Sequence, residues 1–349
     1  PATARSATRT RGDIDDIREN PGGGGDDRTP PGASWIDLRD YRSRRNEIAF
    51  VRERFDMRVL ITGASGFIGT ALSAALVARG DEAVPLRRNA QGPGWDIEAG
   101  RIDHEVLVGV DAIVHLAGAP ILPPWTESKK RRILSSRVDG TTLISAAAVA
   151  SGTPVLVSAS GMDFYGDRGD DVLDESEPGG EGFMAGVAAA WEEATAAAVE
   201  GGVRVAYLRT SLVLDSSGGS LPKMMLPFRV FVGGPIGDGR QWWSWITLED
   251  EVRAILHVLD DSRIRGPVNL ASPNPVRNED FMRALGAAMG RPSWFPTPAF
   301  LLKAVLGSDA ADALLLESKR VRPAVLQESG FEFAYPEIGP AMEHAVTGR

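Results

Sequence analysis

The sequence predicts an α/β fold: a doubly wound parallel sheet with a smaller C-terminal α/β cap domain. Three observations carry this. From Met57 onward short β-branched runs alternate with helical stretches, the rhythm of βαβ units. The turn between the first strand and the first helix holds Gly63, Gly66 and Gly69. After about residue 215 the rhythm breaks into Gly/Pro-rich loops and short helices, as expected of a cap over a sheet. The 349 residues give room for two domains.

Residues 1–56 stand apart and are expected to be disordered or loosely packed. Pro21 to Gly25 and Pro30-Pro31-Gly32 exclude a helix or strand. Arginines and carboxylates balance there, 11 of each, so the whole formal charge of −9 belongs to the remainder. Trp35 to Phe55 could form a short amphipathic helix, although a loose tail is the simpler reading. No apolar h-region marks a secretory signal, and the many acids argue against a transit peptide. Met57, directly before the first strong strand, is a candidate natural start.

The elements then follow in order. Strands are expected at Arg58 to Thr62, Glu82 to Arg87, Asp111 to Leu116, Pro154 to Ser160 and Val203 to Arg209. Helices are expected from Phe67 to Arg79, over 127–150 and over 183–200. Right-handed crossovers make these strands a doubly wound sheet with ligands beyond the strand C-termini. The expected division is a nucleotide-binding domain over 57–215, then a substrate or cap region over 216–349.

Composition narrows the function. With no cysteine, thiolate zinc sites and cysteine nucleophiles are excluded. Four histidines without paired spacing predict no metal site. The net charge of −9 argues against nucleic acid, and no apolar run is long enough for a membrane span. The expectation is a cytoplasmic protein with a small-molecule substrate.

Thr62 to Gly69 is the sharpest motif. Gly63 permits a tight turn, Gly66 lets the backbone approach a pyrophosphate, and Gly69 allows close helix-to-strand packing. Phosphates would sit on free N–H groups at the helix N-terminus. The end of the second strand selects the dinucleotide. NAD sites carry an acid there, whereas this chain has Leu86-Arg87-Arg88, and a guanidinium grips a 2′-phosphate. NADP(H) is therefore the expected cofactor.

These residues, with His115 to Gly118 and Ser158-Ala159-Ser160 before Tyr165-Gly166, resemble the extended short-chain dehydrogenases/reductases and their Rossmann domain. Pro124-Trp125-Thr126, Ser136-Arg137-Val138, Trp191-Glu192, Gly237 to Trp242, Asn269 to Pro275 and Arg320 to Pro323 resemble their epimerase-like branch more closely. The likeness covers residues 57 to about 345. It implies that Gly63, Ser65, Gly66, Phe67 and Ile68 hold the pyrophosphate and that Arg87 meets the 2′-phosphate. It further implies that Asp96 and Ile97 flank the adenine and that Leu116, Ala117 and Gly118 line the cofactor floor. A small C-terminal domain over about 298–345 and a homodimer through the helices at 127–150 and 183–200 are also implied.

The superfamily's proton relay pairs a Tyr with a Lys four residues later, the Lys lowering the phenol's pKa. Four residues after Tyr41, Tyr165, Tyr207 and Tyr335 stand Arg45, Gly169, Ser211 and Gly339. On the helix where the family carries the pair, Met184 and Ala188 occupy the positions. The remaining candidates are Ser160 as carbonyl polariser and Tyr165 as proton donor, with Asp163 and Glu192 as replacement acid/base groups. Where nucleotide-sugar epimerases place a diphosphate-clamping Arg stands Trp243, which leaves Arg240 as the candidate substrate cation. The leading expectation is an NADP(H)-dependent oxidoreductase or epimerase acting on a small carbonyl or hydroxyl. The rival is a non-catalytic NADP(H)-binding sensor or scaffold.

Overall fold

The computed structural model describes residues 56–88 and 94–348. The expected tail and its amphipathic segment lie outside the described residues, apart from Asp56.

Six strands form the main sheet: β1 (Arg58–Thr62), β2 (Glu82–Leu86), β3 (Ala112–His115), β4 (Val155–Ala159), β5 (Arg204–Thr210) and β6 (Gly266–Leu270). Their spatial order is β6-β5-β4-β3-β1-β2 and every pairing is parallel. Such a sheet buries both faces, and β1 reads accordingly as a continuous apolar run. Val59 and Ile61 point into one core layer and Leu60 into the other.

On the first layer, helix α1 (Phe67–Ala78) inserts Leu72 and Leu76 against Ile255 and Val258 of a second helix, Leu248–Asp260. The opposite layer is covered by α2 (Glu127–Ser151), α3 (Phe183–Glu193) and α4 (Ala196–Glu200). Thr126 caps α2 by accepting from Lys129 N, and Gly152 ends it in the left-handed region. The helix expected over 183–200 divides in two because Thr195 turns its hydroxyl back onto Glu192 O at 2.7 Å.

The main sheet continues past residue 215. After α5 (Leu221–Arg229), the helix Leu248–Asp260, here α6, returns the chain to the sheet and β6 pairs with β5. This sixth strand, Gly-Pro-Val-Asn-Leu, has a single β-branched residue, and its Pro267 sits on the edge strand where a missing N–H is tolerated.

The cap core joins α5, Trp243, Trp245, α7 (Asn278–Ala288) and α9 (Ile338–Thr347), with α8 (Ala299–Leu306) beside it. Two short parallel ladders tie this layer down. Leu212–Leu214 pairs with Trp245–Thr247, and Val172–Leu173 pairs with Arg320–Val321. The second ladder carries residues 318–321 to the loop after β4.

Candidate active site

The chain runs from β1 to β2 on one side and then crosses to β3 on the other, so the sheet order reverses beside β1. A crevice opens at such a switch point, and the glycine loop lies in it. Gly63 has a φ of 71°, and a Cβ there would meet Leu116 C at 3.0 Å. Gly66 N donates to Gly63 O at 2.8 Å and closes the turn. A Cβ on Gly69 would sit 2.2 Å from Gly63 O, so the helix can pack this close to the loop only with glycine. The N-terminus of α1 has neither a side-chain cap nor an acidic residue in its first turn. Its first N–H groups therefore face outward with the positive end of the helix dipole.

Buried Thr62 ties the two loops together. Its hydroxyl accepts from Leu116 N at 3.1 Å and Ala117 N at 3.2 Å, so its own proton goes to His115 Nδ1 at 2.7 Å. His115 thus carries its ring proton on Nε2, which has no hydrogen-bond partner among the described residues. Complete burial pushes the imidazole down to about 3 and keeps it neutral.

Phe67, Ile68 and Leu116 line a cavity of about 960 Å³ that begins at the glycine loop. Ser65 is exposed at the turn. Arg87 is exposed just after β2, whose last residue Leu86 is in register with Thr62. Asp96 accepts from Ala99 N and pairs with Arg101, while Ile97 packs into the core beside Trp95. Ala117 and Gly118 continue the loop after β3, and Gly118 lies against the guanidinium of Arg137.

Beyond β4 the cavity wall contains Ser160 and Asp163, and across it Trp191 of α3. Ser160 Oγ donates to Glu192 Oε1 at 2.8 Å. Arg209 at the end of β5 donates to both oxygens of that carboxylate, through Nε and Nη2 at 2.9 Å each. The guanidinium is 4% exposed and lies 3.5 Å from the centroid of the Phe164 ring. Glu192 is thus ion-paired, and it also holds Ser160, one of the two hydroxyls that the sequence assigns to chemistry.

Tyr165 does not share this position. It is fully buried; it donates to Asn269 Oδ1 at 2.7 Å and accepts from Arg209 Nη1 at 3.0 Å. Burial outweighs the neighbouring guanidinium and pushes the phenol up to about 12. A hydroxyl so placed is a structural link and no proton donor to the cavity, which corrects the expected role. Arg240 is likewise corrected. It sits exposed on a turn, outside the cavity lining, with its carbonyl held by Arg277. Of the three clustered tryptophans, Trp245 is core, whereas Trp242 and Trp243 reach the cavity.

A residue missed by sequence reasoning is Lys319. It stands over 150 residues from Asp163, and only the ladder at Arg320–Val321 brings it to the cavity wall. Its Nζ donates to Ala313 O at 2.9 Å and pairs with Asp163 at 3.1 Å and Glu317 at 2.7 Å. Burial alone would lower this ammonium, but the two carboxylates hold it above the ordinary lysine range. Its adjacency to the Arg320 to Pro323 motif was the available signal. Among the described residues no cluster could hold a metal, and no helix is long and apolar enough to cross a membrane.

A model of the NAD dependent epimerase/dehydratase family matches residues 59–271, and one of a domain of unknown function (DUF1731) matches residues 297–345. Epimerase family protein ML0860 of Mycobacterium leprae is 39% identical over 294 residues, 83% of this chain and 95% of that protein. Human epimerase family protein SDR39U1 is 36% identical over 300 residues, 83% of this chain and 100% of that protein. The crystal structure of human SDR39U1 (isoform2) with NADPH is similar, with a TM-score of 0.75 and 31% identity, covering 83% of this chain and 99% of that one.

Proposed function

This chain belongs to the NAD dependent epimerase/dehydratase family, and on that premise we propose that it binds NADP(H) and exchanges hydride with a small carbonyl or alcohol in the cavity. The observation that carries the reading is the glycine crevice opening directly into a cavity whose wall contains Ser160. A relative of this chain has been crystallised with NADPH, which supports the choice of cofactor.

The crevice fits a dinucleotide, because the Gly63–Gly69 contact leaves the N–H groups of Phe67 and Ile68 free of side-chain cover. Gly63, Ser65, Gly66, Phe67 and Ile68 would hold the pyrophosphate, and Arg87 the 2′-phosphate. Asp96 and Ile97 would flank the adenine, and Leu116, Ala117 and Gly118 would form the floor. When bound, the cofactor supplies or accepts hydride at the nicotinamide.

The chain's own part is the proton. A hydroxyl has one donor and two lone pairs, and Ser160 spends its donor on Glu192. In alcohol oxidation the substrate O–H proton passes to Ser160 Oγ while the serine proton passes to Glu192 Oε1, and hydride leaves the carbinol carbon. Reduction runs the same path backwards. Oxidation followed by reduction from the opposite face at one carbon is epimerisation. Arg209 fixes the carboxylate in place for this relay.

The rival, an NADP(H)-binding sensor without turnover, draws on Met184 and Ala188, which line the cavity where the family carries its Tyr–Lys pair. A carbonyl panel separates the two. Loss of reduced-nicotinamide absorbance that Ser160→Ala abolishes supports catalysis; saturable NADPH binding with no consumption on any carbonyl favours the sensor. A cytoplasmic location rests on composition, and a homodimer through the helices at 127–150 and 183–200 on family likeness.

A further inference from the structure

The cavity's lining deepens this reading, and rests on it, by naming the substrate class. Away from the glycine loop the wall is mostly apolar, with Met184, Ala188 and Trp191 on α3 and Phe228, Leu302 and Leu315 of the cap. Of its buried cations Lys319 is fully committed, whereas Arg137 spends one of its three nitrogens on backbone carbonyls. Arg137 donates to Ala119 O and Ile133 O at 3.1 Å each and lies 4.7 Å from the Trp191 ring. Lys319 meets three acceptors, which saturates the three N–H bonds of an ammonium. The other lysine of the lining, Lys223, is exposed. A sugar diphosphate would find one buried cation with unspent donors, Arg137, in a wall that is otherwise mostly apolar.

The apolar character also continues outward. Leu302 and Leu306 line the cavity on one side of α8, and on the same helix Phe300 and Val305 are 75% and 71% exposed. Met224 and Phe228 of α5 line it too, with Leu226 and Phe231 more than half exposed beside them. Exposed apolar surface continuous with a pocket marks a route for an apolar ligand.

We infer that the substrate is a lipophilic ketone, aldehyde or alcohol: a hydrocarbon body held by α3, α5 and α8, with one oxygen at Ser160. The polar end meets Ser160, whose hydroxyl is bonded to Glu192, while Asp163 and Glu317 are spent on Lys319.

The test is isothermal titration calorimetry of the full chain, saturated with NADP⁺ so that a ketone cannot react, against the straight-chain series from 2-butanone to 2-decanone and against UDP-glucose. Affinity should rise about fourfold per added methylene, the equivalent of ~0.8 kcal/mol each, with an increasingly negative heat-capacity change. Leu302→Gln and Leu306→Gln should flatten the series for the longer ketones while NADPH binding, the control for folding, stays unchanged. Affinity independent of chain length, or UDP-glucose binding more tightly than every ketone, overturns the inference. The series repeated without cofactor keeps the two readings apart: failure of NADP⁺ to bind removes the cofactor reading, whereas a flat ketone series removes this one.

Discussion

Ser160 and Glu192 form one unit, the serine Oγ donating to the carboxylate Oε1 at 2.8 Å. They come from different elements, the end of β4 and the last turn of α3. Arg209 from β5 locks the carboxylate with a two-pronged contact, the geometry in which an Arg–carboxylate pair fixes orientation best. The position of the missing Tyr–Lys pair is apolar, and the proposed proton path runs one residue beyond Trp191.

Ser160→Ala and Glu192→Gln should therefore share a turnover defect of about a hundredfold or more, the usual scale of a lost acid–base group, with NADPH affinity unchanged. They should differ in stability. Glu192→Gln deprives a nearly buried Arg209 of its counter-charge and should lower the melting temperature clearly, whereas Ser160→Ala should lower it little. Steady-state kinetics and thermal melts of both variants check this, and unequal turnover defects would count against a shared relay.

Tyr165→Phe should leave turnover and its pH profile between pH 5 and 9 unchanged, since the phenol faces Asn269 and Arg209 and lies near 12. It should cost about 1–3 kcal/mol of stability by stranding buried partners, measurable by denaturant titration. A collapse of turnover at wild-type stability would restore the tyrosine to the chemistry.

Gly69→Ala should weaken NADPH binding strongly. The new methyl would lie 2.2 Å from Gly63 O and must push α1 away from the loop, at a cost of about 1–3 kcal/mol in stability. NADPH titration beside a thermal melt reads both effects.

Glu251 sets a pH dependence. Fully buried, with Oε2 unpaired and Oε1 accepting from Thr210, its carboxyl is pushed up to about 8 by desolvation. Folding therefore favours the protonated form, so this group's contribution is complete below its unfolded value near 4.5 and is lost as pH rises towards 8. Glu251→Gln keeps the Thr210 bond without the charge. It should gain stability relative to wild type progressively from pH 5 to 8. Parallel unfolding curves at both pH values would exclude the effect.

The sequence made local chemistry legible and distant pairing illegible. Gly63, Gly66 and Gly69 could be read because strand, turn and helix adjoin in the chain, and the motif forces its own backbone. β6 escaped because Gly266 and Pro267 open it and only an edge position tolerates them. Glu192 was visible as an acid on an Ala-rich helix, but its partners Ser160 and Arg209 meet it only through sheet order. Lys319 depended on a two-residue ladder, and Arg240 failed because a turn at Asp238 points it to solvent.

The central claim is that the crevice after β1 takes NADP(H), with Arg87 choosing the phosphorylated form. Titrating the wild-type protein and Arg87→Ala with NADPH and NADH, followed by nicotinamide fluorescence, tests it most directly. The account predicts saturable NADPH binding, NADH weaker by about tenfold or more, and a preference that Arg87→Ala erases by weakening NADPH alone, as loss of a charge-assisted contact worth ~1.5–3 kcal/mol requires. Equal affinity for the two dinucleotides, or no binding of either, would contradict it.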